Sequence, residues 1–254
     1  MEGTAGCGQV IVWVVRYRRV CTDFTNFKRM TKLNFRALHA DEIECRVGTA
    51  NDKGVSLLMY KNARVDMSLL DEVVGAENWK RSHELINGNL FCTVAVRFDN
   101  GDWVTKQDVG TESYTEKEKG QASDAFKRAC VNWGIGRELY TCPFVWVNLR
   151  TEEWRMGYNG KKQPKTQFKV SAIEYDEQRR VSYLQIKDDK GEVRYEWGAS
   201  EEQKDICAEA IDRVNRVSTR EELENVYNMY PNLHKDKTFI DACTKQAKKI
   251  QTAA

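Results

Sequence analysis

The stretch Asp108–Tyr140, DVGTESYTEKEKGQASDAFKRACVNWGIGRELY, decides how the rest of the chain is read. It leaves a predicted strand, crosses an acidic and polar turn and enters one strong helix. Ala122, Ala125, Phe126, Ala129, Cys130 and Trp133 recur at the spacing of a helix and form a single apolar stripe. Thr115 with Glu118 three residues on has the form of a capping box, which places the helix start near Glu116. Gly134 and Gly136 end it, since glycine takes the left-handed conformation of a helix C-cap at little cost. Lys127 and Arg128 stand together on the polar side. Alone, such a pair reads as a solvated face that complements the helix dipole.

Upstream of this helix the pattern is a meander. Strands are predicted near Asn78–Ile86, Leu90–Phe98 and Asp102–Val109, with Asn87-Gly88 and Asn100-Gly101 as hairpin turns. Leu90, Cys92, Val94, Val96 and Phe98 share one face of the middle strand. The fold class expected is α+β: a three-stranded antiparallel meander packed on the long helix, a β-β-β-α core. Before it, a short helix is expected between Leu33 and Val47, then the polar connector GTANDKG, the apolar run Val55–Tyr60, and a helix over Arg64–Val74 closed by Gly75. After it, Pro143–Leu149 adds a strand. Gly157–Gln167 has the composition of a linker. Residues 168–199 then read as a small antiparallel β region and 200–254 as a helical appendage, so that 30–156 is the core domain.

Composition bounds the function. The chain has 254 residues, 41% hydrophobic and 31% charged, with a formal net charge of +2. Residues 1–29 hold five basic and two acidic residues, which leaves 35 basic and 36 acidic in the remainder. A nucleic-acid surface would therefore have to be local patterning rather than bulk charge. Eight scattered cysteines without a C-x-x-C pair, and three distant histidines, give no zinc-ligand spacing. Cys92 and Cys130 read as reduced core residues, which fits a cytoplasmic protein. Val10–Val15 is too short to span a bilayer and its arginines follow it, unlike a signal peptide. Met30 reads as the start of the protein proper, with 1–29 a non-native extension or else a flexible basic arm.

Two segments resemble the Rad-fifty-two family of single-strand annealing proteins, particularly its phage and prophage branch. Ala63–Trp79, ARVDMSLLDEVVGAENW, is similar to the family's HRV…NE.FG..GW segment, and Asp108–Tyr140 to its DVG…K..A.TDGLKRA…FG helix. The resemblance covers residues 33–150. It implies a β-β-β-α core assembled into a homo-oligomeric ring that carries single-stranded DNA in a groove and works in recombination or repair. By motif, the family's inner DNA-binding residues fall on Arg64, Lys127 and Arg128. A second, outer site of the family uses a lysine in the second hairpin. This chain has FDNGDW there, so Lys106, Lys117 and Lys119 are the candidates for that role.

Such a protein makes and breaks no bond. It holds phosphates through Lys and Arg with little sequence preference. No enzymatic activity or cofactor is expected, and the sequence has no G-x-x-x-x-G-K-[ST] segment. The partners expected are single-stranded DNA, further copies of the chain, and a single-strand binding or replication protein met through the C-terminal helices. Two other readings stay open: a metal-dependent nuclease built on Asp108, Glu112, Glu116 and Glu118, and a recombination adaptor. Tyr60, Trp103 and Tyr114 are candidates for base stacking, with core or interface packing as the plainer role for Trp103. Arg137 and Glu138 are expected to tie the helix end or a subunit contact, and Lys161, Lys162, Lys165 and Lys169 to form a solvated basic run.

Overall fold

Asn51 sets the first turn. Its side chain accepts the backbone N–H groups of Lys53 and Gly54, at 2.9 and 3.2 Å, and folds the chain back on itself. The turn joins β1 (Glu44–Asn51) to β2 (Gly54–Tyr60) in a hairpin. The computed structural model, which describes residues 32–111, 117–157 and 162–253, thus corrects the helix expected over Leu33–Val47. Only Ala40–Glu42 forms a helical turn, of 3-10 type. Leu38 and Ile43 are buried, but Val47 is 37% exposed. Three apolar residues were outweighed by pairing: β2 is an apolar run with two hydrogen-bonding edges to fill. One edge takes β1 in register, Glu44 opposite Tyr60 and Val47 opposite Leu57. GTANDKG is accordingly a strand end and its turn, not a connector.

Helix α1 (Ala63–Val74) follows, with Asn62 as its cap: the Asn62 side chain accepts from Arg64 N–H at 2.9 Å and from Val65 N–H at 3.3 Å. Leu69 and Leu70 are fully buried. The meander is β3 (Trp79–Ile86), β4 (Asn89–Arg97) and β5 (Trp103–Val109), all antiparallel. Asn87 and Gly88 both have positive φ, 51° and 78°, as the two-residue turn requires. Helix α2 (Lys117–Trp133) lies across the face that carries Cys92, Val94 and Val96. Ala125, Phe126, Ala129 and Cys130 are wholly buried against it, and Trp79 stacks on Phe126 with ring centres 6.1 Å apart. The Thr115 cap lies outside the described residues.

β6 (Val145–Asn148) pairs with the free edge of β2, Val55 opposite Val147 and Leu57 opposite Val145. A two-stranded ribbon follows, β7 (Trp154–Met156) with β8 (Lys162–Pro164), the second strand lying inside the stretch expected to be a linker. Residues 168–199 are not a separate region. β9 (Phe168–Tyr175), β10 (Val181–Asp188) and β11 (Val193–Gly198) extend the first sheet to six strands, in the order β11-β10-β9-β1-β2-β6. The reason is burial. Val170, Leu184 and Ile186 share one apolar cluster with Val55, Leu57, Val145, Val147 and the meander. The sheet curls until its edge strands meet: Arg194 donates to the carbonyl of Asn148 at 2.8 Å and the Tyr195 hydroxyl to that of Phe144 at 3.2 Å.

Helices α3 (Glu201–Arg216), α4 (Arg220–Met229) and α5 (Lys237–Ala253) complete the described chain. Ser200 and Thr219 cap the first two through capping boxes. These helices bury Ala210, Val214, Leu223, Leu233, Phe239 and Cys243 in a cluster of their own. Ile206, on α3, is exposed. No helix among the described residues is long and apolar enough to cross a membrane.

Candidate nucleic-acid interface

One side of β1 and β2 faces the polar side of α2 across a groove of about 310 Å³. The strand wall supplies Arg46, Leu58 and Tyr60 and the helix wall Asp124, Lys127, Arg128 and Val131, while Gly136, Leu139 and Tyr140 line its far end. Glu44 pairs with Tyr60 across the hairpin, and Arg46 stands two residues on, on the same face. The Tyr60 hydroxyl donates to Glu44 Oε2 at 2.5 Å, and Asn62 Nδ2 donates to Glu44 Oε1 at 3.0 Å. The Tyr60 ring meets two cations, Lys127 Nζ at 5.8 Å and Arg46 Cζ at 5.9 Å from its centre. The Tyr60 hydrogen bond, ahead of that from Asn62, keeps the Glu44 carboxyl below its ordinary range. Tyr60 in turn is pushed up to about 12, chiefly by the same bond. Tyr60 is thus a fixed post between β1 and α2, its ring already engaged.

Arg128 is held from the other side. Its Nε lies 3.3 Å from Asp108 Oδ1, at the end of β5, and Asn132 Nδ2 reaches the second Asp108 oxygen at 3.4 Å. A guanidinium gripped by Nε keeps its two terminal nitrogens for a further acceptor, which suits a phosphate. Beneath the groove Lys61 is buried and ion-paired with Asp66, which is fully buried. Burial pushes the Asp66 carboxyl up to about 6, although Lys61 pulls it down. Gly136 closes over this pair. Its φ is +69°, and a Cβ there would sit 2.3 Å from Lys61 Cε. The GIG turn therefore fixes the end of the groove by close contact with a buried lysine.

The other expected residues fall as follows. Arg64 is exposed in the first turn of α1, four residues past Tyr60, and is not among the residues lining the groove. Lys106 is committed elsewhere. Its ammonium donates to the carbonyl of Asn132 at 2.7 Å and sits 4.7 Å over the Trp133 ring, where it caps the C-terminal end of α2. Lys119 is exposed on the first turns of α2, and the Lys117 side chain lies outside the described residues. Trp103, given a core or interface role from sequence, is 41% exposed on the open face of the meander with Lys80 Nζ 4.3 Å over its ring. Tyr114, Glu112, Glu116 and Lys161 lie outside the described residues. Asp108, the nuclease candidate, is engaged by Arg128. Among the described residues no three His, Cys, Asp or Glu side chains are placed to hold a metal ion. Arg137 ties down the end of α2 as expected, donating to Val131 O at 3.0 Å and Asn132 O at 3.2 Å.

Arg46 escaped the sequence reading because its segment was read as helix. On a strand paired to Val55–Tyr60, the alternation Glu44, Arg46 places both beside Tyr60. That pairing was the signal that would have found it.

Residues 27–155 match the model of a family described as the Rad52/22 family double-strand break repair protein. This span takes in β1 to β6, α1 and α2, and so both walls of the groove. The chain belongs to the Rad52/22 family. A relative of this family chain is the single-stranded DNA-binding protein DdrA of Deinococcus radiodurans, 36% identical over 94 residues. That similarity covers 36% of the chain and 44% of the relative, so the chain spans under half of DdrA's length.

Proposed function

We propose that this Rad52/22 family chain binds single-stranded DNA along the groove between β1–β2 and α2 and anneals complementary strands in recombination or repair. The observation that carries this reading is the convergence of Arg46, Lys127 and Arg128 on one open groove, with Arg128 oriented by Asp108. The name of the relative, a single-stranded DNA-binding protein, supports the ligand. Annealing needs phosphates held and base edges left open, and three cations spaced along a groove meet the first need with little sequence preference. ATP has no role in this scheme, and neither does catalysis. Arg64 joins the same strand from α1. Lys106, Lys117 and Lys119 are the candidates for any second strand.

Ring assembly belongs to the same proposal. A single groove with three cations binds weakly, and a ring of grooves on one strand raises affinity through effective concentration. The motif resemblance supports an origin in the phage and prophage branch, and the C-terminal helices are proposed to meet a replication or recombination partner.

The decisive experiment anneals two complementary, dye-labelled oligonucleotides without ATP and with magnesium present. Fast annealing of intact strands is expected. Cleaved strands would transfer the function to a nuclease, and bound strands that never anneal would reduce it to a single-strand binding module. Lys127→Ala with Arg128→Ala is expected to lower the log–log salt slope of binding by about 1.4, at roughly 0.7 per phosphate contact on a single strand. An unchanged slope in the folded double variant would put the strand elsewhere.

A further inference from the structure

The groove contains an aromatic side chain that the phosphate contacts leave unexplained. Tyr140 lines its far end, and the side chain is 74% exposed. Among the described residues its hydroxyl has no partner. An exposed tyrosine is common on a mobile loop, but this one stands on fixed backbone. It belongs to the 3-10 helix Arg137–Thr141, which is bonded on both sides. On one side, the buried Glu138 carboxylate accepts Leu38 N–H at 2.8 Å and Arg179 at 3.0 Å. On the other, the Thr141 hydroxyl donates to Glu138 O at 2.7 Å and accepts Val181 N–H at 2.9 Å. The fold therefore anchors Glu138 and Thr141, on either side of Tyr140, and leaves its ring in solvent in the groove that Lys127 and Arg128 also line.

We propose that Tyr140 is the base-binding residue of this groove, its ring stacking one nucleobase of a single strand whose phosphates lie on Arg46, Lys127 and Arg128. This rests on the groove being the strand site, as argued above, and adds the contact that phosphates cannot give. Of the candidates among the described residues, Tyr60 and Trp103 do not serve: the Tyr60 ring is occupied by two cations and its hydroxyl by Glu44, and Trp103 points to the face of the meander away from α2. Every base has a π face, so one stacked base per groove adds affinity without sequence preference. It also gives each repeat of the strand a fixed register while neighbouring bases stay free to pair.

The test measures binding of the full chain to oligo-dT of fixed length and to an abasic strand of the same length. Tyr140→Ala is expected to weaken oligo-dT binding about fivefold or more, the lower end of a single stacking contact. Its salt slope should match wild type, because no phosphate contact is lost. Tyr140→Phe and Tyr140→Trp should restore binding, whereas Tyr140→Leu, apolar but not aromatic, should not. On the abasic strand Tyr140→Ala and wild type should bind alike. Tyr140→Leu binding oligo-dT as tightly as wild type, or a deficit of Tyr140→Ala that persists on the abasic strand, would overturn the assignment while leaving the groove in place. Wild type that fails to bind oligo-dT, or a slope unmoved by Lys127→Ala with Arg128→Ala, would remove the groove and Tyr140 together.

Discussion

Gly136, Lys61 and Asp66 show how single residues hold the groove from below. Replacing Gly136 by alanine forces a side chain into the left-handed region and onto Lys61. The expected loss is about 2 kcal/mol or more, from the φ penalty and the displaced ammonium together. It should be visible as a lower urea midpoint. A midpoint within error of wild type would mean that the turn relaxes freely. Asp66 makes a pH prediction. Its carboxyl rises to about 6 in the fold from an ordinary 3.8, because burial disfavours its charge. The folded protein then keeps a proton that the unfolded chain has released. Stability from this group falls as pH rises from about 4 to about 6, by up to about 3 kcal/mol, and is level above that. Asp66→Asn cannot titrate, so the stability of wild type relative to the variant should decline across that interval. A flat difference would show that Lys61 keeps Asp66 charged throughout.

At the scale of elements, what was legible in the sequence was local. The α2 stripe, the α1 helix and the meander with its Asn-Gly turn follow from periods and turn residues a few positions apart, and the described elements match them within a few residues. Lys127 and Arg128 came from the same local pattern together with the motif resemblance. The misses share one cause. β1 depends on pairing with β2; β9 to β11 were legible as strands, but their place in the first sheet depends on β1, more than a hundred residues upstream, and no local period encodes such partners. Arg46 was lost with β1, and the bond from Lys106 to the end of α2, a long-range neighbour, was equally invisible. The curled sheet offers a test of this long-range order. Arg194, on β11, is buried between Glu153, at 2.5 Å, and Asp188, at 3.0 Å. The Arg194 hydrogen bond holds Glu153 below its ordinary range. Burial opposes the charge on Asp188, but bonds from Arg194 and from the N–H groups of Glu192 and Lys190 hold it low as well. Arg194→Met leaves two buried carboxylates unpaired and should cost roughly 3–5 kcal/mol at pH 7. Depressed carboxyl groups stabilise above their unfolded range and lose that effect as pH falls below about 4. The deficit of the variant should therefore shrink in acid, and a deficit that grew there would contradict the network.

The described residues form two hydrophobic cores. One is shared by the six-stranded sheet, the meander, α1 and α2, and the other lies among α3, α4 and α5. The hydrogen bond from Glu201 N–H to the Glu174 carboxylate, 2.8 Å, ties the start of α3 to β9. The groove lies wholly in the first unit, so strand binding should not require the second. These three helices bury few large side chains, Phe239 foremost, and a module of that size is marginal by itself. Calorimetry of the full chain should show a weaker transition at lower temperature and a stronger one above it. Ending the chain at residue 199 should remove the first and leave the second. The shortened chain should bind oligo-dT with an unchanged salt slope, since Arg46, Lys127, Arg128 and Tyr140 all remain. A shortened chain that keeps the upper transition but loses strand binding would make the C-terminal helices the binding unit and refute the groove. One that binds but no longer anneals would assign the helices to bringing two loaded assemblies together, a role their separate core leaves them free to fill.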